Sequence, residues 1–479
     1  MSDLILGLDV GSTSARALVI DLSGRIHGQA QTRLRSNHPA PGRVEQDPRE
    51  VWREVRATID AALTTAGRRP SELAAVGVAA QRSSVVVWDR ASGETLGPMI
   101  LWSDLRGVER AAELQAAGFL APAIAAAAKL EAAVDAIPNG RKRLRAGELA
   151  WGTLDSFLVH RLSGGAHHLT DYSNAWATCY LDLATLRSWN PKLIEFQGLA
   201  VEAFPTLCDT WGALGRTAVS GLGAEVPLGA IVADQQSGMF AHGAWRAGAW
   251  KATYGTSATM MVSTGQTPTL AQGLMPMLLA GHESQSLFAL EGMVISAGSL
   301  LDWLVDDLGL HASVEALTRA AASVEDSGGV AIRPALQGIG APFNDSNRRA
   351  AIVGLSGAST PREIARAAFE SLAFRMREIA EAVAAIDGLE VPEALPVDGG
   401  LAANDLFLQI QADALGFPVD RHAQLEATAL GACIAAALGV GLATLDELEP
   451  LTRTARRFEP TLEPGQSDEH FARWREATA

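Results

Sequence analysis

Asp9-Val10-Gly11-Ser12-Thr13-Ser14-Ala15, near the start of the chain, has a counterpart past the middle in Thr253-Tyr254-Gly255-Thr256-Ser257-Ala258-Thr259. Each is a glycine-hydroxyl turn between apolar runs. Leu4-Ile5-Leu6-Gly7-Leu8 leads into the first and Ala17-Leu18-Val19-Ile20 leaves it, while Trp250-Lys251-Ala252 and Met260-Met261-Val262 flank the second. Both patterns predict tight β-hairpins. Small residues bring backbone N–H groups and hydroxyls within reach of an anion, so two such turns are suited to gripping a polyphosphate from two sides. For one turn alone, a hairpin that merely contains glycine and serine is the better reading. The repetition argues for a nucleotide held between two halves.

Outward from the first turn, strand-like runs at 75–79 and 85–88 alternate with amphipathic helical ones at 48–65 and 107–117, an α/β pattern. A Gly/Ala-rich link at 241–248 leads into the second hairpin, and longer helices follow at 361–385 and 405–415. With 479 residues the chain exceeds one ordinary core, and the expected division is 1–246 and 247–479.

Composition narrows the function. A formal charge of −15 with few Lys/Arg runs argues against a nucleic-acid partner, because phosphate backbones demand clustered positive charge. Cys179, Cys208 and Cys433 are too scattered for a disulfide framework or a metal cluster, which fits a reducing cytoplasm. Met1-Ser2-Asp3 runs straight into a strand, and the alanine-rich stretch 432–443 is too short and glycine-broken to cross a bilayer. No membrane role is expected.

Two carboxylates stand at strand ends. Asp9 directly precedes the first turn, where it either faces a magnesium ion held by phosphates or caps the turn. Asp234, in Ile231-Val232-Ala233-Asp234-Gln235-Gln236-Ser237-Gly238, is placed either to accept a hydroxyl proton in a cleft or to cap a helix. In Val397-Asp398-Gly399-Gly400-Leu401-Ala402-Ala403-Asn404-Asp405, paired glycines between a strand and a helix would let a flat ring lie on the backbone.

That order of segments resembles the FGGY carbohydrate kinases of the actin-like ATPase superfamily, and within them the glycerol kinase branch. Segments 81–89, 101–104, 152–156, 170–175, 340–343 and 426–432 add to the likeness, which covers nearly the whole chain. The resemblance implies two actin-like, ribonuclease H-like ATPase domains with a cleft between them, and transfer of the γ-phosphoryl group of ATP to a hydroxyl of a small polyol or sugar. By position, it assigns Asp234 as the catalytic base and Asp9 to Mg2+. Ser12, Thr13, Ser14, Arg16 and Thr256 would hold the phosphates, and Gly298, Gly400 and Asn404 the adenosine. Arg82, Trp102 and Gln235 would line the acceptor pocket. Because family members are often dimers or tetramers, it also implies a homo-oligomer.

The chain departs from the glycerol kinase pattern where the acceptor binds. Ser83 follows Arg82 where that branch has glutamate, Thr259 stands for a pocket phenylalanine, and Ile124 and Ala132 for a tyrosine and a tryptophan. Lys129-Leu130 is kept, although the connection from Trp102 is about ten residues short. Near the nucleotide, Asp302 replaces a glutamine. Alternatives are therefore a kinase for a larger polyol or a ketose, and a non-catalytic nucleotide-binding regulatory protein.

Overall fold

The computed structural model describes residues 3–479; Met1 and Ser2, read above as running into the first strand, lie outside them. The chain forms two compact units: the first runs to Ala241 and adds Met277–Leu287 and Thr428–Leu451, and the second comprises His242–Pro276, Phe288–Ala427 and Thr452–Ala479.

The first unit is built on β1 (Leu4–Val10), β2 (Ser14–Ile20), β3 (Ile26–Arg33), β4 (Leu73–Ala80) and β5 (Leu228–Ala233), in the order β5-β4-β1-β2-β3. β1, β2 and β3 form an antiparallel meander, and β4 and β5 run parallel to β1. All seven residues of β1 are buried, as expected of a strand covered on both faces. One cover is the helix Pro48–Ala66, begun by Asp47, whose carboxylate accepts from Arg49 N, and ended by Gly67 in the left-handed region. Its Val51, Val55 and Ile59 share a core with Leu6, Leu8 and Val10.

The other cover is the helix Ala427–Gly439. A methyl group on Gly7, Gly77 or Gly229 would fall 2.2, 2.1 and 2.5 Å from the carbonyl oxygens of Ala429, Ala432 and Ala436. Those alanines follow one helix face across β1, β4 and β5. Only glycine on the sheet lets the backbones approach this closely.

A second sheet repeats the plan with β6 (Trp250–Tyr254), β7 (Ala258–Gly265), β8 (Met275–His282), β9 (Gln285–Val294), β10 (Leu395–Asp398), β11 (Val419–His422) and β12 (Thr454–Phe458), of which Met277–Leu287, in β8 and β9, counts with the first unit. Their order is β8-β9-β7-β6-β10-β11-β12. β6, β7 and β9 form the antiparallel meander, with β10 and β11 parallel to β6. The helix Pro361–Ala384 starts with a capping box between Thr360 and Glu363 and buries Ala365, Phe369, Leu372, Met376, Ile379 and Val383, the 3–4 spacing of a core-facing stripe. Both predicted hairpins are present, as are the helices predicted at 48–65, 107–117, 361–385 and 405–415, each within two residues. All three cysteines are free thiols. Among the described residues, no helix is long and apolar enough to cross a membrane.

Candidate active site

In the first unit, the carboxyl ends of the three parallel strands β1, β4 and β5 gather most of the candidate residues. Ligands bind at such ends because strand-to-helix loops and helix N-termini converge there. The register aligns Asp9 with Ala79, and Ala79 with Val232, so Asp234 lies two steps further along the strand direction than Asp9. One strand, β4, lies between the strands that carry Asp9 and lead to Asp234, whose axes are therefore about 10 Å apart.

Asp9 is 5% exposed. It sits directly opposite Arg16 in the β1–β2 ladder, and Arg16 Nη1 donates to its Oδ2 at 3.0 Å. The turn beyond it is held from behind through its carbonyls: Leu34 N donates to Thr13 O at 2.8 Å and the fully buried Gln46 donates to Ser12 O at 2.7 Å. Gly11 N closes the loop onto Ser14 O at 3.0 Å.

Asp234 opens the helix Asp234–Ala241, and its Oδ1 accepts from Gln235 N at 2.8 Å. The same oxygen lies 3.8 Å from Arg82 Nε. Asp234 thus satisfies a helix amide while standing, half-buried, beside a guanidinium. Arg82 also reaches Met277 Sδ at 3.7 Å. Ser83 occupies the left-handed region at φ 61°, unusual for a residue with a side chain, and its hydroxyl donates to Ala177 O at 2.7 Å. Its proton is therefore committed to the backbone. Trp102 is half-buried, with its N–H donating to Ser84 Oγ at 3.1 Å and its carbonyl accepting from Lys129 Nζ at 3.0 Å. Lys129 is fully buried and also donates to Leu101 O and Ile124 O. Burial pushes its ammonium down to about 7, with Asp104 partly opposing.

The second unit brings together Thr256 and Gly298. Gly298 N donates to Gly255 O at 3.0 Å, while Ala297 N and Ser299 N donate to Thr256 O, each at 3.1 Å. The helix Gly298–Asp302 thus props the second turn, and Asp302 ends it with a carboxyl raised by burial and by Asp306. Gly399, at φ 91°, is pressed against β6, where a methyl would lie 2.5 Å from Tyr254 O, whereas Gly400 faces open space. Asn404 caps the helix Asp405–Leu415 through Phe407 N and donates to Thr318 Oγ1 at 2.8 Å. Thr259, grouped above with the acceptor residues, belongs to this unit and is 4% exposed in β7, opposite Thr253.

Sequence reading passed over a buried network beneath the second turn. His242 Nε2 lies 2.5 Å from Asp398 Oδ2, and Lys251 donates to Thr253 Oγ1 at 2.7 Å. Against the effect of burial, Lys251 and the hydrogen bonds of His242 and Thr253 hold the Asp398 carboxyl below its ordinary value. It also passed over Gln46, Gln81 and Ser84, whose roles depend on partners that only folding supplies.

Among the described residues, no group of three or more His, Cys, Asp or Glu side chains is arranged to hold a metal unaided. Magnesium bound with a nucleotide takes most of its oxygens from water and phosphate and needs only one or two carboxylates, which a single strand-end aspartate fits. The open space over Gly400 likewise fits a flat ring.

Comparison with known proteins gives two family matches. The N-terminal domain of the FGGY family of carbohydrate kinases matches residues 4–241, and the C-terminal domain matches 250–440. The chain is 40% identical to a glycerol kinase of Aromatoleum aromaticum, covering 99% of this chain and 97% of that protein, and 39% identical to one of Dechloromonas aromatica, covering 99% and 96%. Among solved structures, a Plasmodium falciparum glycerol kinase with ADP superposes with a TM-score of 0.89 at 24% identity, covering 99% and 97% of the two chains. A xylulose kinase from Rhodospirillum rubrum gives 0.81 at 25%, with the same coverage. The chain belongs to the FGGY family of carbohydrate kinases.

Proposed function

We propose that the chain transfers the γ-phosphoryl group of ATP to a hydroxyl of a small polyol or sugar, using residues 1–246 as the acceptor and phosphate-hairpin domain and 247–479 as the adenosine domain. The observation that carries this reading is Asp234 beside Arg82 at the ends of adjoining parallel strands. Asp234 would accept the hydroxyl proton of the acceptor, with Arg82 fixing its carboxylate, and Gln235 and Trp102 would orient the polyol. Ser12, Thr13, Ser14 and Arg16 would hold the phosphates from one turn and Thr256 from the other, with Gly298, Gly400 and Asn404 at the adenosine. Asp9 would hold the magnesium ion, which supplies charge neutralisation on the phosphates when bound. Phosphoryl transfer passes through a loose transition state, so alignment by these residues contributes more than proton removal.

Full-length likeness to proteins named glycerol kinases makes glycerol the first acceptor to test. A second reading, a larger polyol or a ketose, is favoured by Ser83, whose hydroxyl proton goes to Ala177 rather than toward a ligand. ADP release with ATP and magnesium, screened against glycerol, tetritols, pentitols and ketoses, separates the two. Asp234→Asn is expected to lose about 100-fold or more of the turnover while still binding ATP. Undiminished turnover in that variant would remove Asp234 from the role of base, and ATP binding without turnover on any acceptor would favour a regulatory protein.

A further inference from the structure

A directed run of buried hydrogen bonds crosses the first unit from the Trp102 loop to the first glycine turn. Lys129 Nζ donates to the carbonyls of Leu101, Trp102 and Ile124 at 3.1, 3.0 and 2.8 Å, matching three donors to three acceptors. Trp102 N then donates to Ser84 Oγ at 3.1 Å, Ser84 Oγ donates to Gln81 Oε1 at 3.0 Å, and Gln81 Nε2 donates to Gly11 O at 3.3 Å. Gln81 N is fixed as well, to Val10 O at 2.9 Å. Ser84 and Lys129 have no solvent exposure and Gln81 has 1%. The direction is forced. Trp102 N can only donate and Gly11 O can only accept, so Gln81 must turn its amide N–H group to Gly11 and its Oε1 to Ser84, whose single proton goes to that oxygen.

We propose that Gln81 and Ser84 are positioning residues that set the first phosphate turn in register with the acceptor wall at Trp102. The inference rests on the kinase reading above. Neither side chain binds a substrate; each holds backbone that does. Each substrate keeps its own contacts when the run is cut, but the reacting atoms lose their alignment. Misplacement by about 1 Å can lower a rate 100-fold while leaving binding nearly intact.

The test compares the full-length wild type with Ser84→Ala and Ser84→Thr, by steady-state kinetics and by deuterium uptake of peptides covering residues 10–14 and 101–104. Ser84→Ala is expected to lower kcat about tenfold or more with both KM values within about threefold, and Ser84→Thr, which keeps the hydroxyl, to restore it. Uptake should rise in both peptides of Ser84→Ala. A kcat within about threefold of wild type, or increased uptake confined to 101–104, overturns the proposal. Should Ser84→Ala fail to fold, Gln81→Met interrupts the same run and is judged by the same criteria. Wild-type silence toward every acceptor, with uptake still rising at both ends in the variant, overturns the kinase reading and supports the physical linkage; silence without that rise overturns both.

Discussion

The two glycine-hydroxyl hairpins begin from nearly the same residues and end with different electrostatics, charged in the first and neutral in the second. Two positions before its glycine, the first has Asp9, facing Arg16 across the ladder; at the same distance from Gly255 the second has Thr253, facing Thr259. Their lengths differ too, since Val10 pairs with Ala15 around four residues and Tyr254 with Ala258 around three. Beneath its turn the second unit places charge in Lys251 and Asp398. A duplicated fold thus keeps the same backbone device twice, with a carboxylate on the strand leading into the turn in the first hairpin and a threonine at that place in the second. On the proposed reading, a polyphosphate would meet a carboxylate where a cation can bridge them, and hydroxyls and amides elsewhere.

The sharpest way to break this comparison is Asp9→Asn, which removes the charge while keeping an oxygen for Arg16. Turnover should fall about 100- to 1,000-fold, read as ADP release in saturating acceptor. Next is Gly298→Ala, whose new methyl would lie 2.6 Å from Gly255 O and press on the second turn. The KM for ATP should rise about tenfold, with stability lowered by about 1–3 kcal/mol of overpacking, read as a lower melting temperature. Thr253→Val should lower stability by about 1–3 kcal/mol, because it leaves buried partners unsatisfied, and should change kcat less than about fivefold. A kinetic loss matching that of Asp9→Asn would show that the hairpins are equivalent after all.

The smallest effect tests the acceptor side of the first unit. Burial lowers the folded-state value for Lys129 from 10.5 to about 7, so between those values the unfolded chain binds the extra proton. Stability from this group is complete above 10.5 and lost as pH falls toward 7. Thermal melts at pH 7, 8 and 9 should therefore show wild type gaining on Lys129→Met as pH rises. A constant difference would mean that the ammonium titrates normally.

Local features were legible in the sequence. Hairpins need only apolar runs around a small turn, and the long helices announced themselves through caps and a 3–4 apolar spacing, as at Thr360-Pro361 with Glu363. The strand-end placement of Asp9 and Asp234 followed from the same patterning. What escaped was nonlocal. Nothing near Ser83 announces a positive φ, nothing near Gln46 points to Ser12, and Lys129 gains meaning only when carbonyls from residues 101, 102 and 124 surround it. Glycine at 7, 77 and 229 likewise reads as weak strand until the helix that demands it is in place.

That helix has a bearing on how the protein is made. Residues 427–439 leave the ribosome well after β1, β4 and β5, the strands they roof. Until then the emerging chain presents a glycine-lined trough along the strands that bear Asp9 and border Asp234. Translation order therefore delays completion of the first unit past that of most of the second, and a nascent chain stalled before Thr428 should be a chaperone client rather than a partly working enzyme.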